Sequence, residues 1–327
     1  MRPKIVVIGG GTGTYTVLQG LKHYPVDLSV IVSMTDSGGS NRVIRDEFGL
    51  LPTSDLRQCM VALASDESDE IMRNLFTYRY SQGIGIQGMT FGNLFMAALT
   101  DIYGSQEKAI KKTCEMLRVS GNIIPVTYDN SHLVARYENG VQVLGEHAID
   151  EPREELGKLK IVELEIIPQA SANPEATKAI KEADLIILGP GDLYTSIICN
   201  LIVNDMASHI RDAKAGKVYI VNLMTKFGQT HGVSAKDHIN ELEKYLGDGE
   251  MDYYLVDKTK KYPKTLIKRY QEEHASLVKD DLGKNAKAIR KNISSDVIYE
   301  NHKSDKLKRS LIRHDSKKLA KAIIELL

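Results

Sequence analysis

The opening stretch of the chain allows few folds. Lys4-Ile5-Val6-Val7-Ile8 is a short apolar run that breaks into Gly9-Gly10-Gly11-Thr12-Gly13-Thr14, and the segment after it, YTVLQGLKH, has helical character. Asp27 to Met34 (DLSVIVSM) reads as a second buried strand, β-branched and without helical period. Strand, glycine turn, helix and strand make a βαβ unit over 4–34, and the crossover forces its two strands to be parallel. The turn also carries chemistry. Glycines let a backbone come close to a phosphate, and the free N–H groups of the first helical turn point at it. A phosphate-bearing ligand is therefore expected; the alternative is a tight connection with no ligand. A dinucleotide fingerprint needs glycine three residues after Gly11 or Gly13, where the chain has Thr14 and Thr16. No lysine stands where a phosphate-cradling P-loop needs one.

Bulk properties remove several classes of function. With 43 basic and 43 acidic residues the formal net charge is zero, so no global field attracts nucleic acid or an anionic membrane. No apolar run approaches a membrane span. Cys59, Cys114 and Cys199 are an odd, widely spaced set, unlike a disulfide frame or a zinc site, which points to a reducing cytoplasm.

Further along, the polar loop TDSGGSNR is followed by a helix through DLRQCMVALAS, with Thr53 or Ser54 as its cap. Helices are also expected near 68–79, 93–102 and 105–118. The middle then turns to strands. NIIPVT, HLVARYENG, VQVLGEH and KIVELEIIP form a β-rich insertion at the edge of the main sheet or beside it, with Asn139-Gly140 as a hairpin turn. Parallel order resumes with a helix begun by Asn173-Pro174, the strand DLIIL, the loop Gly189-Pro190-Gly191-Asp192 and a helical segment. The strand KVYIVNL, a helix SAKDHINELEKYL capped by Ser234, and the strand MDYYLVD follow. Beyond about residue 258 a lysine-rich tail carries two expected helices, 263–274 and 304–326, that pack on the core or form an oligomer contact.

Four loops hold the candidate residues. After the glycine turn comes Asp36, at the end of the second strand, where open parallel sheets place a ribose- or metal-binding carboxylate. The loop Ser37-Gly38-Gly39-Ser40-Asn41 behind it can form a nest of N–H groups, or a plain surface turn. Arg42, Arg45 and Arg57 are candidate phosphate clamps, since the guanidinium fork matches phosphate oxygens. Asn93 follows Gly92 at a helix start and can bond a ligand or simply cap the helix. In the third loop Asp192 can hold a metal, accept a proton or cap a helix, while Thr195 and Ser196 offer hydroxyls. The fourth loop is Asn222-Leu223-Met224-Thr225. The nine histidines form no metal-binding pair, and no nucleophile elbow or Ser-His-Asp set is present, so no catalytic residue is assigned.

Together, GGGTG, the TDSGGS loop with Arg45 and Glu47, LPTSDLRQC, FGNLFMAALT, GPGDLYTSIICNLIV and NLMT resemble the gluconeogenesis factor family (YvcK-type) of the CofD-like, or 2-phospho-L-lactate transferase, superfamily. The resemblance covers residues 1 to about 256. It implies a three-layer α/β/α Rossmann-like fold: a mostly parallel sheet with a small β-rich insertion and a helical C-terminal tail. It implies a single domain over 1–327, with a motif-bearing core of about 1–256 and an extension of about 257–327. For function it implies cytoplasmic binding of a nucleotide diphosphate or UDP-sugar, linked to carbon metabolism, cell-wall synthesis and cell shape, by a homodimer. The transferase branch implies a different reading, magnesium-dependent transfer of a phospholactyl-type group from a nucleotide diphosphate to an alcohol. Carried onto this chain, Gly10, Gly11, Thr12 and Gly13 would cradle the diphosphate. Asp36, with Ser37, Gly38, Gly39 and Ser40, would hold ribose or metal. Arg57 and Asn93 would line the pocket, and Gly189, Gly191, Asp192 and Thr195 would close it. Any Mg2+ would sit on Asp36 and Asp192. The chain departs from the family pattern at Ser37, Asn41 and Asp192, where an acid, a serine and a serine are usual. It departs again at Lys226-Phe227, where Gln-Pro is usual.

Overall fold

The computed structural model describes residues 2–65, 70–258, 262–298 and 310–327. Seven parallel strands form one sheet, in the order β10-β9-β8-β7-β1-β2-β3. These are β1 (Lys4–Gly9), β2 (Asp27–Val32), β3 (Asn122–Pro125), β7 (Leu185–Leu188), β8 (Gly216–Ile220), β9 (Tyr253–Asp257) and β10 (Ala288–Lys291). Helices cover both faces, so the central strands are apolar at nearly every position: all four residues of β7 and five of the six in β1 are buried. β1 pairs with β2 on one side, Ile8 opposite Ile31, and with β7 on the other, Ile8 opposite Leu188. The chain thus winds outward from β1 to β3, returns, and winds outward the other way from β7 to β10. The strand order reverses between β1 and β7, and in open α/β sheets the crevice beyond that reversal is where ligands bind.

Helix α1 (Gly11–Leu21) packs against α3 (Ser54–Leu63) and against the C-terminal helix Ser316–Ile324. The last contact is close: a Cβ on Gly20 would stand 2.0 Å from the Ser316 carbonyl oxygen. Between α1 and α3 runs α2 (Gly39–Phe48); α4 (Glu70–Thr77) and α5 (Phe91–Tyr103) follow α3. A separate antiparallel sheet joins β4 (His132–Tyr137), β5 (Gln142–Leu144) and β6 (Ile161–Ile167) in the order β5-β4-β6, with Gly140 at positive φ in the hairpin turn.

The structure corrects the expected layout at four places. NIIP is no part of the insertion; it is the parallel edge strand β3, because Ser29 to Val32 of β2 offer it a free edge. VQVLGEH is a strand only over 142–144. Gly145, at φ +97°, turns it into a short helix, Glu146–Asp150. The tail holds a strand, β10, that its lysine-rich sequence masked. Its last helix spans Ser316–Ile324, capped by Asp315, while 310–315 is irregular and 299–309 lie outside the described residues, as do 68 and 69 of the expected 68–79 helix. Among the described residues, no helix is long and apolar enough to cross a membrane.

Candidate functional site

The glycine turn after β1 and the Gly189–Asp192 loop after β7 lie against each other at the strand-order reversal. A Cβ on Gly13 would fall 2.0 Å from the Pro190 carbonyl oxygen, and one on Gly191 would fall 3.5 Å from the Gly10 oxygen. Backbone meets backbone here, which only glycine permits. Gly10 caps α1, and Gly11 begins it at φ +64°. The helical segment after the third loop opens as a wide π turn, Leu193–Ile198, in which the Ile197 N–H donates to the Asp192 carbonyl at 3.2 Å. Such turns displace side chains from α-helical positions and concentrate at functional sites.

Asp55, from the first turn of α3, sits on the glycine turn. A Cβ on Gly10 would be 2.3 Å from Asp55 Oδ2, and the Gly11 N–H stabilises the carboxylate. The chain thus sets an anion of its own at the helix start expected to receive phosphate. Burial, with the charges of Asp36 and Asp192, nonetheless pushes the Asp55 carboxyl up to about 7. It therefore titrates near neutrality.

The second loop is tied down by a buried polar network. Asp36 accepts from the Gly38 N–H at 2.8 Å and from the Asn41 side-chain amide. Asn41 Oδ1 accepts from Ser54 Oγ at 3.0 Å and Asn93 Nδ2 at 3.2 Å. Asn93, on α5, also donates to Ser40 Oγ at 2.9 Å and accepts from Arg57 Nε at 3.3 Å. Thr90, not Asn93, caps that helix, and Thr53 stands at the α3 cap position without a side-chain cap bond. Three elements thus meet at Asn93. Asn93→Ala withdraws the acceptor of Arg57 and the donor of Ser40 and Asn41. Its expected cost is on the order of 2 kcal/mol, read as a lower urea midpoint at unchanged slope. A variant as stable as the parent would show that the network does not hold the loops.

Of the arginines, Arg57 donates also to the Phe76 carbonyl at 3.0 Å. Arg45 donates to Asn130 Oδ1 at 2.6 Å and the Ser131 carbonyl at 2.8 Å, clasping the segment that leads into β4, while its Nη1 is buried without a partner among the described residues. Arg42 is exposed.

The insertion brings further carboxylates. The His147 N–H donates to Ser37 Oγ at 3.1 Å, and the Ser37 N–H donates to Glu146 Oε2 at 3.4 Å. Glu146 bonds Asp36, and burial with the Asp36 charge pushes its carboxyl well above the usual range, so the proton of this pair resides on Glu146. One helical turn on, burial and Asp192 push Asp150 up to about 6. Asp150 accepts from Gln229 Nε2 at 2.8 Å and from Thr195 Oγ1 at 3.3 Å. Lys226 pairs with both Asp150 and Asp192, the latter at 2.8 Å. Asp192 makes no cap bond; its side chain goes to the lysine. Asn222 donates to the Gly191 carbonyl at 2.9 Å and braces the third loop.

Among the described residues, no three His, Cys, Asp or Glu side chains surround a common metal position. Magnesium beside a diphosphate usually takes one or two carboxylates and completes its shell with phosphate oxygens and water, and Asp36 is a donor of that kind.

Sequence reasoning missed Asp55, Glu146, Asp150, Lys226 and Gln229 as site residues. Glu146 and Asp150 are four residues apart, the spacing of one helix face, but Glu146 falls in VQVLGEH, which reads as a strand, and Asp150 lies beyond it. Lys226 and Gln229 carry no local signal; their partners lie 34 or more residues away.

Residues 5–298 match the family described as 2-phospho-L-lactate transferase CofD. The chain is 40% identical over 99% of its length to a Thermoanaerobacterium thermosulfurigenes protein named "Putative gluconeogenesis factor", covering 97% of that protein. It is 36% identical over its whole length to the gluconeogenesis factor of Bacillus subtilis, covering 98% of it. A Bacillus halodurans crystal structure, described as a member of the UPF0052 family, superposes with a TM-score of 0.89 at 31% identity, over 99% of both chains.

Proposed function

The chain belongs to the CofD family, and from that premise we propose that it is a cytoplasmic, homodimeric nucleotide-sugar-binding protein of the gluconeogenesis-factor kind. Its role would lie in carbon metabolism, cell-wall synthesis and cell-shape regulation. The ligand is a UDP-sugar, with its diphosphate at Gly10, Gly11, Thr12 and Gly13. Asp36 and the Ser37–Ser40 loop, Arg57 and Asn93 stand on one flank, and Gly189, Gly191, Asp192 and Thr195 on the other. The observation that carries this reading is the contact of two glycine-rich loops at the reversal of strand order, in the crevice where parallel sheets take their ligands. Isothermal titration with UDP-N-acetylglucosamine, UDP-glucose and GDP tests it. Saturable binding of a uridine nucleotide is expected, and binding of none removes the proposal.

One observation favours a second reading, transfer of a phospholactyl-type group from a nucleotide diphosphate to an alcohol. Asp55 titrates near 7 beside the glycine turn, the range in which a carboxylate serves as a general base. In that reaction magnesium would neutralise the diphosphate, with Asp36 as a protein ligand. Turnover that requires both magnesium and an alcohol acceptor would select this reading over binding alone.

A further inference from the structure

Lys226 stands in a setting built for a cation. Its ammonium lies 2.8 Å from Asp192 Oδ2 and bonds Asp150 Oδ1. Thr195 Oγ1 is 3.3 Å from that same Asp150 oxygen, and Gln229 Nε2 bonds both Asp150, at 2.8 Å, and Thr195, at 3.2 Å. Two carboxylates and a hydroxyl from two segments are the hard oxygen donors that a divalent ion attracts. Here the positive charge is covalently part of the chain. Burial opposes it, but Asp192 and Asp150 outweigh burial and keep the ammonium charged. Asp192 directly follows Gly191, which lies against Gly10, so the ion pair flanks the glycine crevice. Asp36, Asp55, Glu146 and Asp150 crowd against this crevice, and burial with mutual repulsion raises Asp55, Glu146 and Asp150. An incoming diphosphate needs a compensating cation.

We propose that Lys226 is the resident cation of this crevice, holding Asp150 and Asp192 in place of a divalent ion and taking up diphosphate oxygens when a nucleotide binds. The phosphate half of this inference rests on the nucleotide reading above; the cation half does not. Removing the ammonium while keeping the stem leaves two carboxylates facing one another. Like charges so placed must take up a proton or recruit a metal. The lysine therefore makes nucleotide binding independent of magnesium on this flank.

The test uses the full chain with Lys226→Met, Lys226→Gln and Lys226→Arg. In thermal melts without nucleotide, Lys226→Met is expected to melt below the parent in EDTA and to recover several degrees in millimolar magnesium, well beyond the parent's response. In titrations with UDP in EDTA, it is expected to bind at least tenfold more weakly than the parent. Magnesium should restore most of the loss, and Lys226→Arg should retain parental affinity. If Lys226→Met does not fold, Lys226→Gln, which keeps a hydrogen-bond donor without charge, is read in the same way. With the melts repeated from pH 6 to 9, a neutral variant that gains neither a magnesium response nor a loss of stability with rising pH beyond the parent's overturns the cation role. Equal UDP affinity in EDTA overturns the phosphate role. If the parent binds no nucleotide, the functional reading and the phosphate role fall together, and the melts alone decide the cation role.

Discussion

At pH 8 the Asp55→Asn variant melts above the parent protein, and the gap closes as the pH falls from about 7 to about 4. The sign follows from burial. The Asp55 carboxyl is raised to about 7 by desolvation first, then by Asp36 and Asp192. A carboxyl raised in the folded state favours folding fully below its unfolded pKa. That contribution is lost as the pH climbs through the folded one. The window therefore runs from about 4 to about 7. Asparagine keeps an oxygen for the Gly11 N–H and cannot ionise, so it escapes the loss. The gain at pH 8 is on the order of 4 kcal/mol. Melting curves from pH 4 to 9 check it, and a variant less stable than the parent at pH 8 would show that the charge itself holds α1 to α3. The same substitution bears on function. A carboxylate at the helix start competes with a diphosphate for the same N–H groups. Sugar-nucleotide affinity should then weaken as the parent is taken above pH 7 and stay level in Asp55→Asn.

Gly13→Ala is the second large effect. Its methyl would lie 2.0 Å from the Pro190 carbonyl oxygen, 2.6 Å from the Pro190 carbonyl carbon and 3.1 Å from the Gly191 nitrogen. All three are backbone atoms, so no rotamer change relieves the clash, and either α1 or the third loop must move. Overpacking of this kind costs about 3 kcal/mol or more. The two loops would also part, so nucleotide affinity should fall at least tenfold. Gly11→Ala is the matched control. Nothing lies within 4 Å of its added methyl, and only φ +64° opposes it, a cost of about 1 kcal/mol. Thermal melts and titration of both variants separate crowding from backbone strain. If Gly13→Ala equals Gly11→Ala in both assays, the loop contact is not what shapes the crevice.

Both effects turn on contacts between distant segments, and that divides what the sequence determined from what the tertiary structure decided. The apolar run Ile5–Ile8, the glycines after it and the strand from Asp27 follow local rules. A parallel strand buried on both faces must be continuously apolar, and a helix start at close quarters needs glycine. The parallel sheet, the loops at its carboxyl edge and the caps at Ser234 and Asn173 could be read from neighbours along the chain. The edge position of β3 could not, because it depends on which partner strand is free. Likewise, nothing near Lys226 or Asp150 announces their pairing, which the fold creates by closing 76 residues of chain. Along the chain Asp55 is only an acid in the first turn of its own helix; the packing of α3 on α1 sets it against the glycine turn. Local structure is settled by sterics within a few residues. Charge compensation in a crevice is settled by which elements the core brings together.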